Sequence, residues 1–163
     1  AAGGDDLRKK RAALPEVSPG VRCPTGSAVI VSGPYDKRGR HGSKKLPGKL
    51  KVGNVIYAGS PNYKAANDWE ECDKNLNKAV VASLNCGKNA KLHAMAFVLM
   101  SAGNVSGGKK AEEVAEIILK AIKEYEGYKE LSLVSICVLG GGEVTMVKEV
   151  ARGLGIVDDD ERE

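Results

Sequence analysis

Residues 100–110, which read MSAGNVSGGKK, have the side-chain types and the spacing that suit binding of a phosphate group. They follow an apolar run and precede a helical pattern, so they are expected at the carboxyl end of a strand. Small residues let backbone amides reach phosphate oxygens, and the N-terminus of a following helix favours an anion. Ser101 and Ser106 would add hydroxyl donors, while Lys109 and Lys110 would add positive charge at the rim. The stretch predicts a diphosphate site that is neither a Walker loop nor GxGxxG, and a plain strand-to-helix connection is the alternative.

Residues 37–51 form a basic run, KRGRHGSKKLPGKLK, with seven Lys or Arg side chains and no acid. These seven are Lys37, Arg38, Arg40, Lys44, Lys45, Lys49 and Lys51. Such a run can contact phosphate or nucleic acid, and a solvated loop is the alternative interpretation. The run contains no aromatic residue, so base stacking is not indicated.

Composition restricts the class of protein. The 163 residues fit one domain, expected over residues 1–157, with an acidic tail at residues 158–163. No apolar run approaches the roughly 20 residues that span a bilayer, so no membrane association is expected. Residues 1–14 lack an apolar signal core, and the four cysteines form no CxxC pair. These features predict reduced thiols and a cytoplasmic or nuclear location, without a metal site or a cofactor.

Four continuous apolar runs predict strands, at residues 27–32, 53–59, 92–100 and 131–139. Continuous apolar runs are typical of strands that are covered on both faces. Helical patterns begin near residue 5, after residue 67, after residue 109 and near residue 144. From residue 53 onward the order is β-α-β-α-β-α, which predicts an α/β fold, a three-layer α/β/α sandwich with a largely parallel core. Trp69 is expected as a core anchor and His93 as a core histidine.

Four segments in order carry a resemblance to a known family. AAGGDDLRKKRAAL followed by CPTGSAVIVSG resembles the helix and the "CPTGEA" strand of the macro domain. VIYAGSPNY is similar to the family's "VIHAVGP-Y" strand, and FVLMSAGNVSGGKK is similar to its second, phosphate-binding loop. The alphavirus members are nearest at that loop, and the resemblance runs from Ala1 to about Gly155. It implies a macro-domain-like mixed sheet and a domain that binds ADP-ribose, free or attached to a protein or nucleic acid.

The resemblance also implies which residues bind. The diphosphate and the distal ribose would lie against Ser101, Ala102, Gly103, Asn104, Val105, Ser106 and Gly107. The adenosine side would approach Cys137, Leu139 and Gly140. The partners implied are ADP-ribose or an ADP-ribosylated protein, with poly(ADP-ribose) or RNA at the basic run. Two alternatives stay open. The first is an ADP-ribosyl hydrolase or ADP-ribose 1''-phosphate phosphatase of the same fold, for which Asn104 is the only nearby candidate for the catalytic residue. The second is a ligand-free scaffold that contacts nucleic acid through the basic run.

The sequence departs from the family pattern in ways that should weaken ligand binding. The family's N-terminal strands and its first loop, where the hydrolases carry their key Asn, have no counterpart among these residues. Tyr57 stands where the family usually has a histidine, and Val105 stands where an aromatic residue is expected. Glycines 140–142 replace bulkier residues that often pack on adenine. A sheet edge left exposed by the absence of those strands is expected to favour pairing with something, of a kind that the sequence does not specify.

Overall fold

The computed structural model describes residues 4–32, residue 50 and residues 52–156. The seven basic side chains of residues 37–51 and the acidic tail therefore lie outside the described residues. The elements are α1 (Gly4–Ala12), β1 (Ala28–Ser32), β2 (Asn54–Ala58), a 3-10 turn (Tyr63–Ala65), α2 (Trp69–Asn89), β3 (Ala94–Val98), α3 (Ala111–Lys123), β4 (Leu133–Cys137) and α4 (Gly141–Gly153). The four strands and four helices predicted from the sequence patterns are confirmed, and so is the α/β class.

The strands form two pairs of opposite type. β1 runs antiparallel to β2, with Val29 opposite Tyr57, and β3 runs parallel to β4, with Phe97 opposite Ile136. In the described part of the chain these pairs are two separate two-stranded sheets. The arrangement is mixed, as expected, with its parallel pair next to the predicted phosphate-binding loop.

The helix α2 connects the two sheets through the core. Its N-cap residue Asp68 accepts a hydrogen bond from the amide of Glu71 at 3.0 Å, which accounts for the acidic start of this helix. The apolar stripe of α2 is fully buried against α3 and β3. The core consists of Leu76, Val80, Leu84, Met95, Phe97, Val114, Ile118, Ala121 and Leu131. Burial of such a continuous cluster is the main stabilising contribution to a domain of this size.

The expectation that the strands are covered on both faces is wrong for the second sheet. Met95 and Phe97 of β3 are buried, but the alternate residues Ala94, Ala96 and Val98 are exposed, Val98 by 63%. In the described residues, helices cover only the face that Met95 and Phe97 occupy. A continuous apolar run does not reveal what covers its second face.

Two predicted core residues lie at the surface. Trp69 is the first residue of α2 and is 41% exposed, whereas Tyr63, which it meets edge-on at 5.9 Å between ring centroids, is buried. His93 is exposed just before β3, and its Nδ1 lies 3.1 Å from the carbonyl oxygen of Glu130. Among the described helices, none has the length and apolar character required to cross a membrane.

Candidate functional site

The residues predicted to bind a ligand lie at one edge of the parallel sheet. β3 and β4 end side by side, with Val98 opposite Cys137. The loop at residues 100–108 follows β3 and the turn at residues 138–140 follows β4, so both emerge at the carboxyl edge. This edge is where open α/β sheets bind ligands. The structure therefore brings the two predicted groups of residues close together.

The inner side of the 100–108 loop is fixed to the segment that follows β2. The Ser101 hydroxyl donates a hydrogen bond to the carbonyl oxygen of Pro61 at 2.7 Å, and Ser101 is buried. Ser101 adopts a φ of +66°, an uncommon conformation for a residue other than glycine. The amide of Lys64 donates to the carbonyl oxygen of Val105 at 3.1 Å. The prediction that Ser101 offers its hydroxyl hydrogen to a phosphate is wrong, because that hydrogen is used within the protein.

Gly107 holds the far end of the loop against the same segment. Its φ is +61°, and a Cβ on this residue would lie 2.6 Å from the backbone nitrogen of Lys64. Both the conformation and the close contact require glycine. Gly107 thus has a structural role that is sufficient to explain its presence.

A charged cluster fixes the start of α3, and we call it the Lys109 clamp (Tyr63, Asp73 and Lys109). The Nζ atom of Lys109 lies 2.6 Å from Asp73 Oδ1 and 2.8 Å from Asp73 Oδ2, and the Tyr63 hydroxyl donates to Asp73 Oδ1 at 2.7 Å. Lys109 also lies over the Tyr63 ring, 5.1 Å from its centroid. Burial raises the pKa of Tyr63 well above its usual range, and the hydrogen bond and the charge of Asp73 raise it further. Tyr63 therefore remains a protonated donor.

The clamp corrects one prediction and adds residues that the sequence did not reveal. The Lys109 side chain is only 8% exposed, so it is not the rim cation that the sequence led us to expect. Lys110, by contrast, is exposed beside the loop. Asp73 was not predicted, since it lies 36 residues from Lys109 and no local pattern joins the two.

Three successive amides of the loop have no hydrogen-bond partner among the described residues. Turns inside the loop use the amides of Ala102, Ser106 and Lys109. Within the described ranges, the amides of Gly103, Asn104 and Val105 have no hydrogen-bond partner. Gly103 and Asn104 are exposed, and a Cβ on Gly103 would meet no atom within 4 Å. These three successive amides are therefore available to donate hydrogen bonds to an anion.

The N-terminus of α3 contributes less than predicted. The amide of Lys110 donates to Glu113 Oε2 at 3.1 Å, and Glu112 and Glu113 place two acids in the first turn. These carboxylates already interact favourably with the positive end of the helix dipole. The three loop amides, rather than the helix end, are consequently the groups that remain available to an anion.

The residues predicted to approach the adenosine are open to solvent in the described part of the chain. Cys137 is exposed and Leu139 is fully exposed, while the Leu139 amide donates to Glu143 Oε2 at 2.8 Å. Gly140 caps α4 without a side-chain hydrogen bond, and no described atom lies within 4 Å of a Cβ built on it. The absence of a packed wall here, in the described part of the chain, agrees with the loss of bulky residues at positions 140–142.

The site residues do not form a metal centre. Across the described ranges, no group of three or more His, Cys, Asp or Glu side chains is placed to hold a metal ion. Asp73 is the carboxylate closest to Lys109 and is already paired with it.

Comparison with curated proteins identifies relatives of one kind, although no family model matches the chain. A macro domain-containing protein of Xanthomonas campestris pv. campestris is 31% identical over 102 residues, which cover 63% of this chain and 48% of that protein. A macro domain-containing protein of Xanthomonas axonopodis pv. citri is 30% identical with the same coverage. The chain thus spans about half the length of the curated relatives it matches.

Comparison with solved structures shows that the chain has the macrodomain fold. The Oceanobacillus iheyensis macrodomain with ADP superposes with a TM-score of 0.65 at 20% identity, over 83% of this chain and 62% of that one. A variant of that macrodomain with ADPR superposes with a TM-score of 0.70 at 20% identity, over 94% of this chain and 73% of that one. The same macrodomain with MES bound superposes with a TM-score of 0.71 at 21% identity, over 94% of this chain and 72% of that one. At this level of identity the likeness establishes how the chain folds.

Proposed function

We propose that this chain, which has the macrodomain fold, binds ADP-ribose with the diphosphate against the amides of Gly103, Asn104 and Val105. The observation that carries the proposal is the 100–108 loop, which is fixed to the segment after β2 and in which the successive amides of Gly103, Asn104 and Val105 have no partner among the described residues. Two of the similar structures contain ADP and ADPR. The fold and the loop geometry thus support the same class of ligand.

Backbone amides suit a diphosphate for a physical reason. A hydrogen bond to an ionised phosphate oxygen is about twice as strong as a bond between neutral groups. The loop is held in place by Ser101, Gly107 and the Lys109 clamp before any ligand arrives, so little ordering entropy is lost on binding. The exposed side chain of Asn104 lies next to these amides and would contact the distal ribose.

The open adenosine side affects selectivity. Leu139 offers an exposed apolar surface, and no described atom lies within 4 Å of a Cβ built on Gly140, so no packed wall is available there for the base. The phosphates and the distal ribose should therefore account for more of the affinity than the base does. We expect ADP and ribose 5-phosphate to compete with ADP-ribose, and AMP to compete weakly.

Binding is favoured over hydrolysis by the surroundings of Asn104. A hydrolase needs a group that activates water or polarises the distal ribose. In the part of the chain that the structure describes, Asn104 is exposed and makes no hydrogen bond that would orient its side chain. An exposed loop of this kind leaves the distal end of the ligand open, which suits ADP-ribose attached to a protein.

The test is a calorimetric titration with ADP-ribose of the wild-type chain and two glycine variants. We expect saturable micromolar binding to the wild type, roughly −8 kcal/mol. Gly103→Val should weaken it at least about tenfold, because one lost charge-assisted hydrogen bond costs about 1.5–3 kcal/mol. Gly153→Val is the matched control, since its Cβ also meets open space but lies at the far end of α4. Unchanged affinity in a folded Gly103→Val protein would place the phosphate elsewhere.

A second experiment tests whether the basic run at residues 37–51 binds nucleic acid or poly(ADP-ribose). Neutralising Lys44, Lys45, Lys49 and Lys51 should weaken binding of poly(ADP-ribose) or RNA, with a strong dependence on salt. Binding of monomeric ADP-ribose should stay unchanged at both low and physiological salt. An equal loss for the monomer would assign the basic run to the pocket itself.

A further inference from the structure

Contacts at its beginning, middle and end attach the 100–108 loop to one short segment, residues 61–65, which follows β2. They join Ser101 to Pro61, Val105 to the amide of Lys64, and Gly107 to the backbone of Lys64. The amides of residues 103–105 lie between the first two of these contacts along the chain. The position of the 61–65 segment therefore determines where the three amides are held.

Tyr63 anchors the 61–65 segment to α2. Inside the segment, the amide of Ala65 donates to the carbonyl oxygen of Asn62 at 3.2 Å, which closes the 3-10 turn. Tyr63 is buried, and its hydroxyl donates to Asp73 Oδ1 at 2.7 Å. Among the described residues, no other hydrogen bond joins this segment to a helix. Asp73 is thus the point on α2 to which the segment is bound.

The carboxylate of Asp73 also binds the residue that follows the loop. Lys109 comes directly after residue 108, and its amide donates to the carbonyl oxygen of Ser106 at 3.0 Å, so its backbone continues the last turn of the loop. The Nζ atom of Lys109 contacts both carboxylate oxygens of Asp73, at 2.6 Å and 2.8 Å. Asp73 therefore holds the 61–65 segment through Tyr63 and the end of the loop through Lys109.

Asp73 belongs to a part of the molecule that is itself firmly packed. It lies in the second turn of α2, directly after Cys72 and three residues before Leu76, and both of these side chains are buried. Side chains on packed helices are held more precisely than side chains on loops. A carboxylate at this position can therefore fix the distance between the 61–65 segment and the loop.

We infer that Asp73 is a positioning residue for the candidate site: it sets the spacing between the 61–65 segment and the 100–108 loop, and with it the direction of the amides of residues 103–105. It acts through Tyr63 and Lys109. A ligand that binds the positioned loop and a clamp that maintains it favour the same conformation, so the two are energetically coupled. The inference rests on the proposed function for the identity of the ligand, but the effect of Asp73 on the loop is measurable in the chain alone.

The two carboxylate oxygens explain why an aspartate suits this position. Oδ1 accepts from Tyr63 and contacts Lys109, and Oδ2 contacts Lys109. An asparagine offers one acceptor oxygen, and its NH2 group carries donor hydrogens only. In either orientation of the amide in Asp73→Asn, that NH2 group would face the ammonium group of Lys109, so this attachment should be lost. Tyr63→Phe removes the other attachment and leaves the ion pair in place.

The first experiment measures amide hydrogen exchange by NMR in the chain without ligand. The reporter is the amide of Lys64, which donates to Val105 at 3.1 Å and is released when the loop separates from the segment. Tyr63→Phe and Asp73→Asn should each speed its exchange at least about tenfold relative to the amide of Ile118, which lies in the core and reports global opening. An unchanged ratio of the two rates in both variants would overturn the inference.

The second experiment titrates ADP-ribose into the wild type, Tyr63→Phe and a core control, Leu84→Ala. Tyr63→Phe should weaken binding roughly tenfold, as expected for a residue that acts on the site through its coupling to the loop. Leu84 is fully buried on the same helix, roughly 16 Å from Asp73 along its axis. Leu84→Ala should cost more stability than Tyr63→Phe and yet leave the dissociation constant within about twofold of the wild type. Ile118→Val is a milder core control if Leu84→Ala does not fold.

The order of affinity and stability decides between positioning and general stabilisation. If affinity followed stability across the variants, so that Leu84→Ala bound more weakly than Tyr63→Phe, the clamp would be a structural element only and the inference would be wrong. Faster exchange of the Lys64 amide without a loss of affinity in Tyr63→Phe would overturn it as well, because the amides that bind would then not depend on the clamp.

The two experiments also separate this inference from the proposed function. A wild type that binds no ADP-ribose would refute the proposed function, and exchange of the Lys64 amide would still decide whether Asp73 positions the loop. A wild type that binds, while Tyr63→Phe changes neither exchange nor affinity, would refute the positioning role and leave the proposed function intact.

Discussion

The Lys109 clamp gives a stability prediction whose magnitude follows from the burial of its members. Lys109 is 8% exposed and Asp73 is 37% exposed, and the Nζ atom contacts both carboxylate oxygens. Asp73→Asn keeps the shape of the side chain but leaves a nearly buried ammonium group without a counter-ion. Lys109→Met keeps much of the apolar stem and leaves a carboxylate that still accepts from Tyr63 and reaches water. We therefore expect Asp73→Asn to be the more destabilising change.

The attraction between the two charges is largely offset by the cost of desolvating them. At an effective dielectric constant of about 20, two charges this close attract by roughly 6 kcal/mol before desolvation is subtracted. Removing one partner of a fully buried pair costs about 3–5 kcal/mol. Because Asp73 is partly exposed, we expect about 3 kcal/mol for Asp73→Asn and about 1–2 kcal/mol for Lys109→Met.

Urea unfolding of the single and double variants would measure these differences. Since about 1 kcal/mol shifts the melting temperature of a domain of this size by roughly 2–4 °C, Asp73→Asn should lower it by about 6–12 °C. The double variant should be less destabilised than the sum of the singles by about 1 kcal/mol or more. Lys120→Met is the control, because its pair with Glu124 is long, at 4.0 Å, and both groups are mostly exposed. Additive costs, or an equal cost for Lys120→Met, would refute the assignment of the clamp.

Three further predictions concern the same region and the thiols. Burial raises the pKa of Tyr63 in the folded protein, so as pH rises the unfolded chain loses this proton first. The free energy of unfolding should therefore fall as pH rises above about 10, the usual pKa of tyrosine. Urea midpoints measured across this pH range should fall less steeply for Tyr63→Phe than for the wild type. Gly107→Val should destabilise the fold by about 2 kcal/mol or more in the same assay, whereas Gly103→Val should change stability by less than about 0.5 kcal/mol. Cys72 is buried and its thiol pKa is raised by that burial, so exposed Cys137 should react first with a disulfide reagent, and Cys137→Ser should remove the fast phase.

The elements that the sequence predicted correctly are those encoded by local patterns. The stripe of Leu76, Val80 and Leu84 repeats with helical spacing, and the apolar run around Phe97 has the length of a strand. The position of the 100–108 loop at a carboxyl edge also follows from element order alone. These features depend on neighbours a few residues apart, where spacing determines which side chains share a face.

The features that were mispredicted depend on contacts between distant segments. Ser101 was expected to donate to a ligand, but its hydroxyl meets Pro61, 40 residues away. Lys109 was expected at the rim and lies against Asp73, because Asp73 happens to face it from α2. Trp69 was expected in the core because it shares the apolar face of α2, yet the first position of the helix faces solvent here and Tyr63 is buried instead. No local pattern records these pairings, so the sequence alone could not give them.

Two glycines of one loop separate what the fold requires from what a ligand would require. Gly107 has a left-handed φ and no room for a Cβ, so the protein itself explains why glycine stands there. Gly103 lies outside the left-handed region, and its missing Cβ faces open space, so nothing in the described structure requires glycine at this position. Where neither the backbone conformation nor the packing of the protein requires glycine, the missing side chain leaves room for a ligand. The amides of Gly103 and its two successors have no partner among the described residues, and a phosphate next to them would make contacts that a Cβ would obstruct.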